Sequence, residues 1–103
     1  MEVYIELVRP VNPIGRSFIT NVYGAIAAKD KELIEKYKKE IMRSIQKLGF
    51  RLEEIMGGGK LISGTFVIVV DDTTRVPKKV YAKEINVWSI EKTLNEKLEI
   101  EIS

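Results

Sequence analysis

Two adjacent carboxylates, Asp71 and Asp72, follow the most apolar stretch of the chain, Phe66, Val67, Ile68, Val69 and Val70. A buried strand that ends in paired acids presents oxygen ligands suited to Mg²⁺ or acceptors suited to a ribose. The same residue types also build a polar turn, in which Asp and Thr side chains hydrogen-bond nearby backbone groups. Thr73 and Thr74 complete such a turn, and it is the simpler reading. A metal-dependent, phosphate-handling enzyme using Asp71 and Asp72 is the alternative. Downstream, Arg75, Lys78, Lys79 and Lys83 place four cations and no acid across residues 75–83, with Tyr81 among them. That segment could follow a phosphate backbone while Tyr81 stacks on a base. Lysines on a strand edge also oppose edge-to-edge aggregation, so a solvated edge competes with nucleic-acid binding as its explanation.

Two shorter signals weaken on inspection. Gly57, Gly58, Gly59 and Lys60 suggest a phosphate loop, but the Walker pattern needs a further Gly where Glu54 stands and a Ser or Thr where Leu61 stands. A hairpin tip accounts for the glycines. Residues 68–74 resemble the phosphoribosyltransferase loop, in which acids precede threonines that wrap a phosphate. The likeness covers this stretch alone; that family carries a Gly close to the threonines, whereas Arg75 follows them here.

The remaining chemistry is bounded by what the chain lacks. It has no Cys and no His, which removes thiol nucleophiles, disulfides, the usual zinc sites and histidine acid–base catalysis. Its 103 residues, 45% hydrophobic and 31% charged, suffice for one domain with one core. A net charge of +2 falls short of the basic excess that marks a nucleic-acid protein by composition. No leader-like segment opens the chain and no apolar run approaches the ~20 residues of a membrane helix, so a soluble, cytoplasmic protein is expected. Lys and Glu dominate the charged residues, Ile and Val the apolar ones, and Gln46 is the sole Gln. That bias fits a hyperthermophilic, archaeal source, with an AT-rich genome as the competing cause.

These residues must be positioned by elements legible in the periodicity. Residues 1–9 alternate, with Val3, Ile5 and Leu7 on one face and Glu2, Tyr4 and Glu6 on the other, as in a strand with one buried side. Asn12, Pro13 and Gly15 make a turn, and Ser17 is placed to cap a first helix to about residue 28. Asp30 can cap a second helix to Leu48, striped by Leu33, Ile34, Tyr37, Ile41 and Ile45, with Gly49 as its stop. One long helix bent near Asp30 is the variant. Residues 50–56 and 60–72 read as a hairpin around the glycines, with the apolar residues 66–70 central in the sheet. Residues 78–88 form another strand. Residues 89–97 are either a short helix or part of a hairpin leading to a last strand at 98–102, where Leu98, Ile100 and Ile102 alternate with Glu99 and Glu101.

The expected fold is α+β: a mostly antiparallel sheet of four to five strands with one long helix, or a helix pair, on one face, a ferredoxin-like arrangement among the outcomes. Tyr4 and Tyr81 are expected to point outward. The expected function is that of a non-catalytic binding or assembly module, oligomeric, needing no cofactor. Its partners would be a second copy of itself or a protein complex. The nucleic-acid alternative, with DNA or RNA as partner, rests on Arg75, Lys78, Lys79, Tyr81 and Lys83.

Overall fold

The opening alternation becomes strand β1 (Glu2–Val11) in the computed structural model, which describes residues 1–102. Val3, Ile5, Leu7 and Val11 are buried, while Glu2, Tyr4 and Glu6 face the other way. The chain then turns through Asn12, whose Oδ1 accepts the Ile14 N–H at 3.1 Å and whose carbonyl accepts the Gly15 N–H at 3.0 Å. Helix α1 (Arg16–Lys29) therefore starts with Gly15 at its N-cap and no side-chain cap. Ser17 lies inside the first turn instead of capping it, because the Asn12 turn closes two residues earlier.

Asp30 separates the two helices as its position suggested. Its φ of −151° is not helical, its N–H bonds the Ile26 carbonyl at 2.7 Å, and its Oδ1 accepts the Leu33 N–H at 3.1 Å. One residue thus ends α1 and caps α2 (Lys31–Met56). Two expectations fail here. Gly49 does not stop α2, and residues 50–56 are its last two turns instead of a strand. Leu48, Leu52 and Met56 continue the stripe at spacings of four among good helix formers. Gly49 answers to packing: a Cβ there would strike the Pro13 carbonyl oxygen and lie 3.0 Å from the Phe18 ring. The stop is Gly57, left-handed at φ 84°, where glycine carries no steric penalty.

Strands β2 (Leu61–Val70) and β3 (Pro77–Trp88) complete a three-stranded antiparallel sheet in the order β1-β2-β3. The expected count of four to five is corrected to three, since 50–56 went to the helix and 98–102 joins no sheet. Two helices return the chain to the end it left, so β2 runs back antiparallel beside β1. The sheet therefore contains no parallel crossover of the ferredoxin-like kind. The apolar residues 66–70 do lie in the central strand. Both helices cover one face of the sheet, where Phe18 of α1 meets Phe66 at 5.4 Å between ring centroids within a single core.

Residues 89–102 adopt neither of the expected forms, helix or hairpin, and have no regular secondary structure. Their few apolar residues meet no face of the chain, and so short a helix is marginal without one. Among the described residues no helix is long and apolar enough to cross a membrane.

Candidate functional site

The uncovered face of the sheet carries the side chains that point away from the helices. Register aligns Glu2 with Val69 and Lys79, Tyr4 with Val67 and Tyr81, and Glu6 with Thr65 and Glu84. Tyr4 and Tyr81 point outward as expected, yet they are not free. Both hydroxyls donate to Glu2, Tyr4 to Oε1 at 2.9 Å and Tyr81 to Oε2 at 2.8 Å. Val67, between the two tyrosines in register, is fully buried although no helix covers this face. The bonds from Tyr81 and then Tyr4 hold the Glu2 carboxyl below its ordinary pKa. The same bonds raise both phenols, because the carboxylate accepts the proton they would lose.

Of the five residues singled out for nucleic acid, Lys79, Tyr81 and Lys83 come to the uncovered face, whereas Arg75 is drawn away from it. Arg75 sits at a positive φ of 65° in the turn after β2 and donates from Nη2 to Asp30 Oδ2 at 2.5 Å, which ties the turn to the helix junction. Lys78 and Lys83 are the extra residues of two β-bulges in β3, where Val69 and Val70 face Lys79 and Pro77, and Thr65 and Phe66 face Glu84 and Ala82. The Lys83 ammonium lies 5.4 Å from the Tyr4 ring centroid, within cation–π range. Lys79 and Tyr81 share the uncovered face by strand alternation, and Lys83 reaches it from its bulge. Three carboxylates, those of Glu2, Glu6 and Glu84, stand on that face against the ammoniums of Lys79 and Lys83.

Asp71 and Asp72 face different partners. Asp71 Oδ1 accepts the N–H groups of Thr73 and Thr74, each at 2.9 Å, and these bonds, the one from Thr74 foremost, lower its pKa. That is the polar-turn geometry. Asp72 Oδ1 receives the amino group of Met1 at 2.6 Å, and the same amino group donates to the Val70 carbonyl at 2.9 Å. Among the described residues no three acidic side chains gather as a metal group.

The feature that the residue types did not announce is the other end of the sheet. Trp88 closes β3 by donating from Nε1 to the Ser63 hydroxyl at 2.8 Å, satisfying the one buried polar residue of the described chain. Beside it, Leu61, Val87 and the Val8 side chain are exposed, and residues 89–102 leave from this point with Ile90, Leu94, Leu98, Ile100 and Ile102 all in solvent. Ile100 is 91% exposed and Ile90 85%. The alternation at 98–102 was a visible signal of a one-sided strand; that nothing in the chain would receive it was not visible. The chain matches no family model, no curated protein and no solved structure.

Proposed function

We infer that this chain is a small non-catalytic assembly module that associates through the end of the sheet from which residues 89–102 depart. The exposed apolar series from Val87 through Ile102 carries this reading. Seven of the fourteen exposed large apolar residues among the described ones fall within these sixteen positions, while others such as Phe50 and Ile55 stand elsewhere on the chain. A contiguous apolar surface in water is unfavourable by roughly 25 cal/mol per Å², and association removes it. The Lys-, Glu- and Ile-rich composition supports a thermophilic setting for such a module. Light scattering at micromolar concentration tests the reading. A mass of at least two chains is expected, and a monomer at all concentrations would overturn it.

A second reading, single-stranded nucleic-acid binding, is favoured by the placement of Tyr4, Tyr81, Lys79 and Lys83 on one uncovered face. The clamped tyrosine hydroxyls and three carboxylates weigh against it. Fluorescence polarisation with a labelled oligonucleotide should show binding that falls steeply with salt if this reading is right. Absent or salt-independent binding rejects it.

A further inference from the structure

Resting on the assembly reading, we propose that the partner is a second copy of this chain and that residues 98–102 of each copy form a fourth strand along β3 of the other.

The sheet is finished on one side only. The helix-facing residues of β1, Val3, Ile5 and Leu7, are buried, whereas those of β3, Val80, Ala82 and Ile85, are only half-buried. Two packed helices span about 20 Å, while three strands span about 14 Å. The layer of helices is therefore wide enough for one more strand. The vacancy lies at the β3 edge, where Glu40, Ile41 and Ser44 of α2 and Pro77 and Val80 of β3 line a cleft. A strand seated there would bring apolar side chains against Val80 and Ala82.

Residues 98–102 have the pattern that position requires. Leu98, Ile100 and Ile102 would face the helices, and Glu99 and Glu101 would fall on the face that carries Lys79, with Lys83 adjacent. Against β1, the other free edge, the same two glutamates would meet Glu2 and Glu6, and like charges on facing strands are unfavourable. The bulges at Lys78 and Lys83 leave a regular stretch of β3 at 79–82, a length suited to a short strand. Their lysines discourage strands of random charge while accepting an acidic one.

The donor strand belongs to another copy because in its own chain this segment runs away from the sheet. The radius of gyration is 17.0 Å and the longest dimension 60 Å, against a radius of about 13 Å for a compact chain of this length. Residues 89–97, extended, reach up to about 30 Å, enough to cross to a neighbouring sheet. The exchange is reciprocal, each copy giving its strand to the one that gives to it, and such an arrangement closes as a two-fold dimer and does not propagate.

The chain contains no Cys, so introduced thiols report contacts without background. Full-length Ile100→Cys is mixed with full-length Val80→Cys or Ala82→Cys under mild oxidation. Neighbouring strands bring such pairs within disulfide range. The expected product with at least one of the two β3 variants is a mixed disulfide joining one chain of each kind, identified by mass. Failure of both mixtures to form it, or an intrachain bridge in dilute Ala82→Cys/Ile100→Cys double variants, overturns the exchange. In parallel, Ile100→Glu should halve the mass seen by light scattering while the circular dichroism spectrum is unchanged. A dimer that survives Ile100→Glu without any mixed disulfide sinks the exchange and leaves the assembly reading standing; a monomeric wild-type chain sinks both.

Discussion

Where β1 begins and β2 ends, polar groups pair locally: the Met1 amino group meets Asp72 and the Val70 carbonyl, Arg75 meets Asp30, and Asp71 is held by two backbone N–H groups. Where β3 ends, one bond from Trp88 to Ser63 closes the sheet, and the chain continues into solvent with five apolar side chains uncovered. At the first end these polar groups are satisfied within one chain. The second presents a one-sided strand pattern with nothing to lie on, and the same β3 that leads to it leaves its helix-facing residues half covered. On the assembly reading proposed above, the contrast separates what holds the domain, its core and the locally paired polar groups, from what it would offer to a partner, the departing segment and the open β3 edge.

Substitutions should divide along that line. The largest loss is expected for Phe66→Ala, which empties the centre of the core against Phe18 and should cost about 3–5 kcal/mol in chemical denaturation. Gly49→Ala follows, at about 1–3 kcal/mol or more, because the added methyl has no space between the Pro13 carbonyl and the Phe18 ring. If Gly49→Ala unfolds like wild type, α2 is not pressed against the turn after β1 as described. Asp30→Ala removes the α2 cap and the partner of Arg75 together and should lower stability by about 1–2 kcal/mol in urea melts. An unchanged midpoint would mean that this end is not sealed by Asp30.

A smaller, pH-dependent effect should arise at Glu2. Its folded pKa is depressed, so its contribution is present above the unfolded value of 4.5 and fades as pH falls through the lower folded value. For Tyr4 and Tyr81, raised above 10.0, the contribution is present below that value and fades as pH rises through the folded one. Glu2→Ala should therefore move the alkaline absorbance titration of two tyrosines back toward 10.0. A titration identical to wild type would show that the clamp does not form. The smallest effect belongs to the open end: Leu98→Ser, measured at concentrations low enough to keep chains apart, should leave the unfolding midpoint within about 0.5 kcal/mol of wild type. A substantial loss under those conditions would mean that residues 98–102 pack within their own chain and would erase the contrast between the two ends.

Periodicity was enough to place β1, the helix pair divided at Asp30, and the central position of residues 66–70, since each of these rests on local spacing or on a run of apolar residues. It failed at Gly49, where glycine reads as a stop in sequence but serves a close approach between segments 36 residues apart in sequence. The candidate site was legible in part. Tyr4 and Tyr81 were recognisably outward-facing, but their shared bond to Glu2 joins residues 79 positions apart and depends on strand register. The cations of 75–83 looked like one patch because they are neighbours in sequence; the turn takes Arg75 to Asp30, while Lys79 and Lys83 remain on one face.

By itself the amino-acid sequence determined the fold class, the exclusion of Cys and His chemistry, and an alternating apolar pattern near each end of the chain, because composition and period 2 are local properties. Only the tertiary structure decided that the first of those patterns becomes a strand in a sheet and the last does not. Burial requires a partner surface, and whether the helices and strands of one chain supply it depends on how they pack over long separations. Here β3 is left with its edge open and its helix-facing residues half-buried, and residues 98–102 pair with no strand of their own chain.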